Sequence, residues 1–206
     1  MVIHETIKYD KNIPAKIRLR DGPVDSCSGK PHWHRATQLI YVDSGKITVF
    51  AGSQKMVLGG GDVVIINPNE EHSLKGTARF LSVHLSYVFV SKFFDSVENY
   101  SCEVREESQE KREITVLLQK LLAIEQNTFD EYSDLMKFSV LMKIIRILLV
   151  RCLKEKQASV CRSVRTFESD AFAVKSFIEE NYRKKNPDCG SSRTNKSQAR
   201  RLHAVF

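Results

Sequence analysis

The sequence predicts a mainly β domain followed by helices: a barrel of short strands, then an amphipathic helical pair. Three observations carry this expectation. Short β-branched runs recur between Gly and Asn turn signals from Ile13 to Leu85. No Gly or Pro interrupts the chain from Ser108 until Pro187. Within that stretch the apolar residues recur at spacings of three and four.

The strands are expected at 37–42 (ThrGlnLeuIleTyrVal), 46–50, 55–58, 62–66 and 79–85, with turns at AspSerGly (43–45), AlaGlySer (51–53), GlyGlyGly (59–61) and AsnProAsn (67–69). GlyGlyGly is a hairpin turn, not a phosphate cradle, because no helix start follows it. Ile114, Leu117, Leu118, Leu121 and Leu122 mark one helical stripe, and AsnThrPheAsp (127–130) breaks it. Leu135, Phe138, Leu141, Met142, Ile145, Leu148 and Leu149 mark a second. Such stripes must be buried on the barrel, on each other or on a partner subunit. Leu135, Phe138, Leu141, Ile145 and Leu148 are the candidate seam of a homodimer.

These patterns divide the chain into a barrel at 1–107, a helical dimerisation segment at 108–156, a linker at 157–169, and a last segment at 170–206. That last segment opens with a helix whose cap is SerAsp (169–170) and ends in a polar tail with little to bury.

The charge is unevenly placed. The net +7 lies wholly in residues 151–206, where 13 Lys and Arg face 6 Asp and Glu; residues 1–150 carry 19 of each. A basic end of this kind suits a polyanion such as nucleic acid. Five scattered cysteines without CxxC spacing argue against a disulfide framework or zinc site and for a reducing cytoplasm. No start signal for secretion and no apolar run of spanning length is read, so the chain is expected to be soluble, with no membrane partner.

The densest local signal is HisTrpHis at 32–34, followed by Gln38 and Gly45, then Gly61, Asp62, Pro68 and His72. Alternation along a strand puts His32 and His34 on one face, where His72 from a second hairpin can join them. This order resembles the two-part signature of the cupin superfamily. The resemblance implies a cupin β-barrel (a double-stranded β-helix). It also implies a metal site in which a Glu usually stands where this sequence has Gln38. The substitution removes the site's only negative charge, and an amide oxygen is the poorer ligand. The favoured expectation is therefore a pocket in which His32, His34, Gln38, Tyr41 and His72 contact a small-molecule effector, a sugar being one class, with no cofactor. The alternative is a metal-dependent cupin enzyme, an isomerase or dioxygenase, with His32, His34 and His72 as ligands. Glu70 and Glu71 read as surface turn residues, and no nucleophile, P-loop or HExxH motif occurs, so the chain is expected not to be an enzyme.

A barrel, a helical pair, a linker and a helix with Val174, Phe177, Ile178, Asn181 and Tyr182 together resemble AraC/XylS transcription regulators. The resemblance implies effector binding in the barrel, dimerisation through the helices, and DNA reading by two helix-turn-helix units. The residues after Asp170 are too few for both units, and no recognition helix can be located. A truncated or frameshifted DNA-binding end, a short basic tail, and a sensor that pairs with full-length relatives are all consistent with the sequence.

Overall fold

A computed structural model describes residues 2–24, 30–94, 99–127 and 131–156. The expected linker, the 171–182 helix, the basic tail, and Cys27, Cys161 and Cys189 lie outside the described residues.

The barrel is organised by two long antiparallel strands, β4 (Thr37–Ala51) and β7 (His72–Leu85), paired along nearly their whole length. The outer edge of β4 takes β6 (Val63–Ile66) near its start and β5 (Gln54–Gly59) near its end. The other edge of β7 takes β2 (Ala15–Val24) and, at His72, the short β3 (His32–Trp33). Parallel to β3 runs β1 (Ile3–His4), a strand with no sequence expectation behind it.

The expected turn at 43–45 proves to be a bend inside one strand. Register shifts by a bulge between Val42 and Ser44, and pairing with β7 then resumes. Gly45 makes the bend feasible, with φ +84 and a backbone so close to β7 that a Cβ would stand 2.6 Å from Thr77 O. The remaining turn signals are true turns. Gly52–Ser53 closes the β4–β5 hairpin, and Asp62 Oδ2 accepts a 2.8 Å bond from Gly59 N across the GlyGlyGly turn.

Alternation sorts the side chains into two cores. Ile40, Val42, Ile47, Val49, Leu74, Ala78 and Phe80 fill the barrel interior. Leu39, Tyr41, Leu81, Val83 and Leu85 point outward, into a second apolar cluster shared with the helices. After the single-turn α1 (Tyr87–Val90), the pair consists of α2 (Gln109–Gln126) and α3 (Ser133–Arg151). Ser108 caps α2 by accepting from Lys111 N at 3.1 Å. All five residues of the first expected stripe are buried.

Of the five residues expected at a dimer seam, Leu141, Ile145 and Leu148 are buried inside this chain's own core. Phe138 is half-buried and Leu135 is 68% exposed. The α3 stripe is thus spent largely on the barrel and α2. A small antiparallel pair, β8 (Tyr100–Cys102) with β9 (Leu153–Glu155), ties the end of α3 back to the chain ahead of α2. Among the described residues no helix is long and apolar enough to cross a membrane.

Candidate metal centre

His32 and His34 come from β3 and the residue beyond it, and His72 opens β7 directly opposite His32. All three are buried, and one ring nitrogen of each lies within 4.8 Å of the others. The ring centroids stand 4.2 Å apart for His32–His72 and 4.9 Å for His34–His72. Around this cluster the interior row of β7 ends in Ser82 and His84. That strand curls so far that His84, twelve residues from His72, also lies 5.0 Å from His34.

The hydrogen bonds fix the tautomers. Each Nδ1–H donates to a backbone carbonyl two residues away: His32 to Lys30 O at 2.9 Å, His34 to Ala36 O at 3.0 Å, and His72 to Glu70 O at 2.8 Å. Facing a carbonyl, Nδ1 must carry the proton, so each neutral ring turns the lone pair of Nε2 the other way. Backbone carbonyls holding Nδ1–H are the usual support of a metal-ligating imidazole.

What meets those lone pairs is informative. His72 Nε2 is buried and, among the described residues, without a hydrogen-bond partner. His34 Nε2 faces Gln38 Oε1 at 3.1 Å, and the Gln38 amide is held there by donating to Ser82 Oγ at 2.9 Å. His32 Nε2 faces the Glu5 carboxylate at 3.5 Å. The orphaned Nε2 of His72, within 4.8 Å of ring nitrogens of His32 and His34, is a lone pair that a cation between the rings would satisfy.

Burial sets the protonation of the rings. It pushes His72 down to about 4 against the supporting bond to Glu70. It pushes His84 down to about 3, with His34 and Arg18 acting the same way. Burial likewise lowers His34, partly offset by Gln38. Neutral imidazoles are the ligand form. The residues present therefore fit a divalent transition metal, with nitrogen donors of the type that suits zinc, copper, iron or nickel.

Of the expected pocket residues, His32, His34, Gln38 and His72 are brought together and Tyr41 is not. Tyr41 lies three positions from Gln38, hence on the opposite face of β4. It packs in the helix-side core, where Gln119 Nε2 donates to its hydroxyl at 3.2 Å. Two residues at the site carried no expectation. His84 shares the inward row with Phe80 and Ser82, and that alternation would have found it. Glu5 lies in a segment too short for any periodicity, so no sequence signal marks it. Glu70 has a structural role, its carboxylate accepting from Asn67 N at 3.0 Å.

Against known proteins, the family description "Cupin domain" matches residues 23–84, so the chain carries a cupin domain there on a cupin-fold barrel. No helix-turn-helix or AraC-type family matches. No curated protein matches the chain. Among solved structures, a cupin protein from Bacteroides fragilis is 19% identical, over 36% of this chain and 67% of its own, with a TM-score of 0.33. An RmlC-like cupin from Shewanella frigidimarina is 22% identical, over 38% and 80%, with a TM-score of 0.28. Oxalate decarboxylase of Bacillus subtilis, an enzyme with Mn(II) centres, is 20% identical over 35% of this chain and 20% of its own, with a TM-score of 0.29.

One expectation is corrected at this point. The chain was expected not to be an enzyme, for want of a catalytic sequence motif. The three buried imidazoles form a cluster able to hold a metal, which does not fit that expectation. The same three histidines are the ligands of the alternative reading of the sequence.

Proposed function

We propose that this chain is a metal-dependent cupin in which His32, His34 and His72 hold a divalent transition metal through Nε2. The observation that carries this reading is the set of three Nδ1–H bonds to backbone carbonyls, which commits three Nε2 lone pairs to one buried spot. When bound, a metal there supplies Lewis-acid polarisation of a substrate oxygen. The protein's own part is to hold His34 and His72 neutral by burial and to aim all three rings through the backbone carbonyls. Beside His72, Pro31, Phe50 and Lys75 line an open depression of about 330 Å³. An isomerisation or an oxygenation is the reaction class in view.

Metal analysis and Ni²⁺ or Co²⁺ titration of the purified chain test the reading. About one ion per chain, with binding lost in His72→Ala, is the expected result. No stoichiometric ion and no titration would overturn it.

A second reading, a small-molecule sensor coupled to DNA, is supported by the Val174–Tyr182 pattern and the positive charge of 151–206. In that reading the barrel site takes the effector. Sequence-selective duplex binding that survives moderate salt supports it, and binding indifferent to sequence and lost with salt opposes it.

A further inference from the structure

We infer that Glu5 is the anionic member of this metal site, taking over from the N-terminal strand the role that the amide of Gln38 cannot fill. The inference rests on the metal reading above and adds a residue to it.

Three neutral imidazoles leave the charge of a divalent ion uncompensated in a buried place, which is costly. Gln38 stands beside His34 but is neutral, and its amide is already engaged with Ser82. A carboxylate must come from elsewhere, and the topology supplies one. β1 runs parallel to β3 in the register Ile3 with His32 and His4 with Trp33, and Glu5 N continues the ladder by donating to Trp33 O at 2.9 Å. In a parallel pair, residues in register share a face, so Glu5 falls on the side of His32 and His34. On the other side His4 stacks on Trp33, ring centroids 4.4 Å apart, which holds the strand in this register.

The geometry agrees. Glu5 Oε2 lies 3.5 Å from His32 Nε2, although the Nδ1 proton of that ring is spent on Lys30. The same carboxylate has an oxygen within 4.8 Å of ring nitrogens of both His34 and His84. A carboxylate 3.5 Å from His32 and within reach of His34 and His84 borders the imidazole cluster, close enough to supply the negative charge that a cation there would need.

The test compares Ni²⁺ affinity, by calorimetry, in wild type, Glu5→Gln, and the double variant Glu5→Gln with Gln38→Glu. Glu5 is 34% exposed in its side chain, so Glu5→Gln should melt like wild type without metal. The expected result is an affinity at least 10-fold weaker in Glu5→Gln and largely recovered in the double variant. Wild-type affinity in Glu5→Gln would overturn the role of Glu5 while leaving the histidine site standing. Weakened affinity with no recovery in the double variant would show that Glu5 acts through the fold of β1 and not through its charge, and would also overturn the inference. No Ni²⁺ binding by wild type would overturn both the inference and the metal reading.

Discussion

At the scale of single residues, the buried histidines make the metal-free fold sensitive to acid. The unfolded chain binds protons near 6.5, whereas burial holds His72 to about 4 and His84 to about 3. Both folded values are depressed, so stability is full above pH 6.5, falls as the pH drops below it, and levels off below about 4 and 3 respectively. By pH 5 the loss is roughly 2 kcal/mol per histidine. Urea midpoints of the metal-free protein at pH 7.5 and 5 check this; equal midpoints would contradict it. Residue-scale legibility was uneven for a physical reason. His32, His34 and His72 stand in local patterns, and Gln38 follows at a readable spacing. Tyr41 was misplaced because a strand repeats every two residues, and a separation of three reverses the face. His84 was legible in principle, from Phe80 and Ser82, while Glu5 depends on a long-range parallel pairing that no local pattern encodes.

At the scale of elements, the helices followed their periodicity, and the barrel strands followed theirs except where a turn signal turned out to be a bend. Gly45 gives the same sequence cue in either case, and only the partner strand decides between them. Gly45→Ala would put a methyl group against Thr77 and force a left-handed conformation on an alanine. A loss on the order of 2 kcal/mol in denaturant stability is expected. The helical pair offers a sharper contrast. Leu141 has no exposed surface, so Leu141→Lys buries a charge without a partner and should cost about 3 kcal/mol or more, unfolding a marginal chain. Leu135→Lys, at an exposed position, should leave the melting temperature within a degree or two. Circular dichroism melts of the two variants separate these outcomes. Which surface such a stripe would cover was not legible, because a period of 3.6 gives the direction of burial and not the identity of what lies there.

At the scale of the whole molecule, the metal reading joins three stretches of chain: β1 with Glu5, β3 with His32 and His34, and β7 with His72. An ion bound only by the folded state stabilises it by about 2.7 kcal/mol at a hundredfold excess over Kd. For a unit of this size that is roughly 5–10 °C in melting temperature. Differential scanning calorimetry with and without Ni²⁺ checks it, and a melt that ignores the metal would count against the site. The barrel-then-helices order was legible because short-range patterns specify it. The way β7 curls to bring its two ends against His34 was not, since that curvature belongs to the closed sheet and not to any one strand.

The turn that carries His72 has a second attachment. Asn69 N donates to His34 O at 2.9 Å, and two residues earlier the Asn67 side chain clasps the backbone of Cys102, accepting from its N–H at 2.7 Å and donating to its carbonyl at 3.3 Å. Cys102 belongs to β8, whose partner β9 leads directly to Lys156. One asparagine thereby works as a rivet between the turn beside the imidazoles and the β8–β9 pair. Filling the site should slow the breathing of that rivet, so the Cys102 amide hydrogen should exchange with deuterium more slowly when Ni²⁺ is present, and Asn67→Ala should abolish the difference.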